Sequence, residues 1–138
     1  TEATIDEFYC PNSEQCTDRS GLDVPFSPDI KYMMLVNYIS ELAGMNINWD
    51  ASYVYTDDQK ATLPSNTGTF SPEVVLPDYA ILNASIRFSI DDDKYQIALI
   101  GKNLTDEQYY TSYSGDGFRY QVPRDADRYF GIQLKMHY

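Results

Sequence analysis

Hydrophobic and polar residues alternate with a period of two along five separate stretches of the chain. The clearest runs from Tyr79 to Ile90: Ala80, Leu82, Ala84, Ile86, Phe88 and Ile90 share one parity, while Asn83, Ser85, Arg87 and Ser89 fall on the other. Successive side chains of a strand point to opposite faces, so this spacing predicts a strand with one apolar and one mainly polar face. Tyr95 to Lys102 repeats the pattern through Tyr95, Ile97, Leu99 and Gly101, and the intervening Asp91–Lys94 predicts a tight antiparallel hairpin. The last residues alternate through Phe130, Ile132, Leu134, Met136 and Tyr138. Upstream, Ile47, Trp49, Ala51, Tyr53 and Tyr55 form a fourth stretch, and Ile30, Tyr32, Met34, Val36 and Tyr38 a fifth and less regular one.

Short and long connections alternate between these stretches. Glu41–Met45 and Asp91–Lys94 are short, whereas Thr56–Asp78 and Thr105–Asp127 are long and polar, with Thr1–Ser27 as a further polar segment. A membrane barrel sorts its connections in this way, with short turns on the periplasmic side and long loops outside. Aromatic positions follow the same division. Tyr38, Trp49, Phe88, Tyr95 and Tyr138 fall near the short-turn ends, and Tyr32, Tyr53, Tyr55 and Phe130 nearer the loop ends. Two aromatic bands separated by smaller aliphatic residues match the girdles at the two membrane interfaces. The opposite parity carries Lys31, Asn48, Asp50, Asn83, Arg87, Lys102, Gln133 and Lys135, as a polar lumen requires. The expected fold class is therefore all-β: about five antiparallel transmembrane strands of an incomplete barrel, with long outer loops and short periplasmic turns. The same alternation also fits the core of a soluble β-sandwich, such as a carbohydrate-binding module.

Composition narrows the function classes. A formal net charge of −11 over 138 residues speaks against nucleic acid as a partner, because phosphate-backbone binding needs a basic patch. No apolar run approaches the about 20 residues of a spanning helix. The N-terminus shows no basic segment followed by an apolar one, so any export signal is expected upstream. Thirteen Tyr residues suit a chain that places amphipathic rings at a boundary between apolar and aqueous media.

Candidate chemistry is sparse. Cys10 and Cys16 lie in a polar segment without a second pair for zinc; they read as a small disulfide-closed loop in an oxidising compartment, with two reduced thiols as the alternative. His137 is the only histidine, in a strand, without a partner at ligand spacing. The carboxylates Asp57, Asp58 and Asp91 to Asp93 sit where turns and loops need solvated residues. No phosphate loop, nucleophile elbow or His-based constellation is present, so neither an enzyme nor a cofactor is expected. The stretch Tyr109 to Tyr120 is the most suited to a ligand: Tyr110, Tyr113, Phe118 and Tyr120 stand among small polar residues, as in contact surfaces built from rigid rings. The alternative there is a loop packed on itself.

The final third carries specific motifs. Gly101-Lys102-Asn103-Leu104-Thr105-Asp106-Glu107-Gln108-Tyr109-Tyr110 is followed by Arg128-Tyr129-Phe130-Gly131-Ile132-Gln133-Leu134 and a closing aromatic. This resembles the last two strands of TonB-dependent outer-membrane receptors, with their Asn-Leu-Thr-Asp and Arg-x-aromatic-Gly signatures; Pro25-Phe26-Ser27-Pro28 resembles the family's Pro-containing approach to a downward strand. The family often has Pro directly before that Arg, whereas here Asp127 precedes Arg128 and the Pro-Arg pair lies at Pro123-Arg124. The resemblance implies that residues 1–138 are the C-terminal part of a plugged barrel of about 22 strands in the outer membrane of a Gram-negative bacterium. It implies a receptor energised by TonB that imports a scarce small molecule such as a ferric siderophore, cobalamin or an oligosaccharide. The expected partners are outer-membrane lipid, the remaining strands, a plug lying upstream and, through that plug, TonB. In such receptors an ending like Phe130, Ile132, Leu134, Met136 and Tyr138 also serves as the signal read by the barrel assembly machinery.

Overall fold

The computed structural model describes residues 3–8, 19–62, 74–90, 94–113, 120–123 and 126–137. It is all-β. Among the described residues nine strands form: β1 (Lys31–Leu42), β2 (Met45–Thr56), β3 (Gln59–Lys60), β4 (Val75–Leu76), β5 (Tyr79–Ile90), β6 (Tyr95–Lys102), β7 (Ser112–Tyr113), β8 (Tyr120–Gln121) and β9 (Tyr129–Met136). The five long ones are the five alternating stretches, joined in one sheet in the order β1-β2-β5-β6-β9. The sheet is open, with β1 and β9 at its edges.

Pairing follows parity. Across β5, β6 and β9 the antiparallel register sets Ile86 opposite Leu99 and Leu99 opposite Ile132; the next rows are Phe88, Ile97, Leu134 and Ile90, Tyr95, Met136. One face of the sheet is thus built from apolar rows. Those rows stay uncovered at the β9 edge, where Phe130, Ile132 and Leu134 are 74%, 72% and 74% exposed. The smallest row is Ala84, Gly101 and Phe130. A Cβ on Gly101 would lie 2.7 Å from Leu104 Cδ2, so glycine is what lets Leu104 lie flat against β6.

The expected short connection at Glu41–Met45 contracts to Ala43 and Gly44, because β1 continues through Leu42. Both turn residues have positive φ, 53° and 77°, as a two-residue type I′ hairpin requires to match strand twist. β1 departs from the others in carrying large apolar residues on both faces. Met33, Leu35 and Ile39 are exposed on one side, and Tyr32, Met34, Val36 and Tyr38 on the other.

A second compact unit gathers residues 1–31, 56–78 and 109–123. Here the long connections, expected as loops, hold short hairpins: β3 pairs with β4 and β7 with β8. Ala61 N–H extends the first hairpin by donating to Val74 O at 2.7 Å. Ala61, Val74 and Leu76 form a small buried core against which Tyr110 and Tyr113 pack. Lys60 ties this hairpin to the N-terminal segment, its Nζ 2.8 Å from Asp23 Oδ2 and its carbonyl accepting from Phe26 N–H.

Candidate functional site

The polar face of the long sheet carries side-chain hydrogen bonds that run from strand to strand. Asn37 on β1 commits both amide hydrogens to β2, donating to Asn48 Oδ1 at 2.6 Å and to Asp50 Oδ1 at 2.7 Å. Ser85 on β5 donates to the other oxygen of Asp50 at 3.5 Å. One step along, Asn83 Nδ2 donates to Ser52 Oγ at 3.3 Å. Like parity on neighbouring strands brings these residues together, so each row is a consequence of register rather than of sequence proximity. The rows frame a cavity of about 390 Å³, lined also by Leu35, Val36, Ala51, Ala84, Ile100 and Lys102. Among the described residues Lys102 forms no ion pair.

The network continues into the Asn103-Leu104-Thr105-Asp106 motif. Asn103 is nearly fully buried and has φ of 46°, a left-handed conformation that Asn tolerates better than most residues. Its N–H donates to Asn83 Oδ1 at 3.0 Å; its side-chain amide donates to the carbonyls of Glu107 and Ala126, and its Oδ1 accepts from Thr105 Oγ1 and Glu107 N–H. Asp106 lies 3.1 Å from Arg128. The two sequence signatures are therefore one clasp, joining the end of β6 to the start of β9.

The opposite face holds an apolar groove of about 540 Å³ where Ala84 and Gly101 leave space beneath Leu104, Phe130 and Ile132. Near one end of that face Tyr32 stacks on Tyr55 at 5.3 Å and on Tyr53 at 6.1 Å between ring centroids. Near the other, Trp49 Nε1 donates to Ser40 Oγ at 3.1 Å.

The residues singled out from sequence are dispersed. Tyr110 and Tyr113 are half-buried on the Ala61, Val74 and Leu76 cluster, and the Tyr113 backbone pairs with Tyr120 across β7 and β8. Phe118, Tyr138 and the Cys10 and Cys16 pair lie outside the described residues. Phe130, Ile132, Leu134 and Met136 share the exposed face of β9, and His137 N–H donates to Lys94 O at 2.9 Å, carrying the pairing one residue further. Sequence reasoning placed Asn48, Asp50, Asn83 and Lys102 on a polar face but not in a joint site, and it did not single out Asn37 or Asn103 as organisers. The available signal was the repetition of Asn, Asp and Ser at one parity on three strands. Among the described residues no three His, Cys, Asp or Glu side chains converge as a metal site. Compared with protein-family models, with curated proteins and with solved structures, the chain matches none.

Proposed function

We propose that this chain is a stretch of the wall of an outer-membrane β-barrel, of the TonB-dependent receptor type, and that the whole receptor binds and imports a scarce small molecule such as a ferric siderophore. The observation that carries this reading is the sorting of the sheet's two faces. Contiguous apolar rows are left exposed on one side while Asn, Asp and Ser are tied together on the other. Water-soluble proteins seldom expose apolar patches of this extent, whereas lipid is a solvent in which they carry no penalty. Two open edges agree with further strands completing a cylinder, since unpaired backbone groups in hydrocarbon are costly. The Asn103 clasp supports the family resemblance, because it gives both signatures a shared structural task.

The test is solvent accessibility in lipid vesicles. Spin labels placed singly at Ile97, Leu99, Ile132 and Leu134 of the full-length protein should relax with oxygen, and labels at Gln96, Gln133 and Lys135 with a water-soluble nickel chelate. Nickel accessibility at every position would discard the barrel wall. Protection of the first set from both agents would favour the soluble sandwich, in which a second sheet covers that face.

A further inference from the structure

Tyr32 and Tyr55 meet at the open end of the β1–β2 hairpin. Counting outward from the Ala43–Gly44 turn pairs Leu42 with Met45 and, at the far end, Tyr32 with Tyr55. Side chains directly opposite one another on neighbouring strands are in reach, and these two rings are in contact, their centroids 5.3 Å apart and their planes tilted by 30°. Tyr53, the diagonal neighbour, stands further off, at 6.1 Å and 37°. The contact has a chemical consequence. A tyrosyl radical carries unpaired spin on the Cε carbons beside its hydroxyl, and two radicals held ring to ring couple without first having to find each other. The surroundings select the class of oxidant. Met34 is exposed two residues along the same face, and a thioether takes oxygen from a peroxide acting by itself. A one-electron oxidant draws instead on the aromatic rings. Trp49 is exposed to it as well, but among the described residues no second ring lies against that indole. Tyr32 is 44% exposed, and its coupling partner is already in place.

We propose that Tyr32 and Tyr55 form a site of oxidative cross-linking, where a one-electron oxidant joins the two rings as dityrosine. Each phenol gives one electron to the oxidant and its hydroxyl proton to water. The two radicals then form a single bond between a Cε of Tyr32 and a Cε of Tyr55. The hydrogen on each of those carbons moves through water to the oxygen of the same ring, which restores both phenols. The net change is the loss of two protons and two electrons; hydrogen peroxide working through a peroxidase-type metal centre takes up both pairs as it becomes two molecules of water. The new bond ties the start of β1, a strand at the edge of the sheet, to the end of β2, and so closes the hairpin opposite its turn. It rests on the pairing of β1 with β2 and stands apart from the barrel-wall reading.

The experiment uses the full-length protein carrying this chain, folded in detergent micelles and illuminated with ruthenium tris(bipyridyl) and persulfate, which together act as a one-electron oxidant. Dityrosine fluorescence should develop. Peptide mapping by mass spectrometry should place the main link within this chain between the peptides holding Tyr32 and Tyr55, lighter by two hydrogens than their sum. Phenylalanine forms no phenoxyl radical, so Tyr32→Phe should remove that link, whereas Tyr53→Phe should leave it. Unfolding in urea before illumination should scatter the links among the thirteen tyrosines. No link at Tyr32, a main link from Tyr32 to Tyr53, or a Tyr32–Tyr55 link equally dominant after unfolding would overturn the proposal. The map of the unsubstituted protein decides the matter even where a variant fails to fold. It is also independent of the spin-label result: lipid contact at Ile132 with no link at Tyr32 leaves the barrel wall standing and removes the cross-linking site alone.

Discussion

Asn83 and Asn103 meet through a hydrogen bond from the backbone of one to the side chain of the other, Asn103 N–H to Asn83 Oδ1 at 3.0 Å. Asn103 in turn holds the Glu107 and Ala126 carbonyls with its own amide, so a single residue closes the loop that separates β6 from β9. Asn103→Gly keeps the left-handed backbone but strands those buried carbonyls, and is expected to destabilise the fold by about 2–3 kcal/mol. Asn103→Ala should cost about 1 kcal/mol more, because a Cβ is disfavoured at this φ. Chemical denaturation of the two variants beside the parent checks both the loss and its order. By contrast Arg128→Ala, which removes an exposed ion pair with Asp106, should cost less than about 1 kcal/mol.

Ile132 is 72% exposed, so replacing it removes almost no packing within this chain. Any loss on going to Arg therefore reports the surrounding medium. In a bilayer Ile132→Arg is expected to cost about 2–4 kcal/mol and Gln133→Arg far less. Reversible folding into lipid vesicles measures the difference, and equal costs would argue against lipid on the Ile132 side.

Ala43 has φ of 53° at a turn position that favours Asn or Gly. Ala43→Asn or Ala43→Gly should stabilise the β1–β2 hairpin by about 1 kcal/mol, Gly by removing the strained Cβ and Asn through the local side-chain hydrogen bonding that favours it at this φ. A raised denaturation midpoint with an unchanged slope is the expected signature.

Thr56 is buried, and its hydroxyl has no hydrogen-bond partner among the described residues. Thr56→Val keeps the shape and removes an unsatisfied polar atom, so it should be neutral or stabilising by about 1 kcal/mol. Thr56→Ser, which keeps the hydroxyl and loses the methyl group, should destabilise. Thermal unfolding of the pair separates the two contributions.

The long strands were legible because each repeats its parity over several residues, and Tyr79 to Ile90 reproduces β5 residue for residue. β3, β4, β7 and β8 were not, since two residues carry no period. The middle of β1 was blurred for a different reason: Met33, Met34, Leu35 and Val36 follow one another, and an all-apolar stretch has no alternation to read. The polar rows needed cross-strand pairing. Asp50 and Ser85 are plain hydrophilic residues until the register lays one beside the other. The packing of Tyr110 and Tyr113 on Ala61, Val74 and Leu76 also depends on contacts between segments far apart in sequence.

That all-apolar stretch leaves β1 degenerate toward slippage. Shifting a strand by one residue turns every side chain to the opposite face, and hydrophobicity normally forbids this. In β1 the exchange would trade methionine and aliphatic residues for much the same set. What distinguishes the two alignments is the fork from Asn37 to Asn48 and Asp50, together with the bond from Trp49 to Ser40 and the packing of Tyr32 on Tyr53 and Tyr55. Asn37 is thus the polar key in the middle of an apolar edge, and in an Asn37→Leu variant two sets of amide resonances along β1 are expected where the parent shows one.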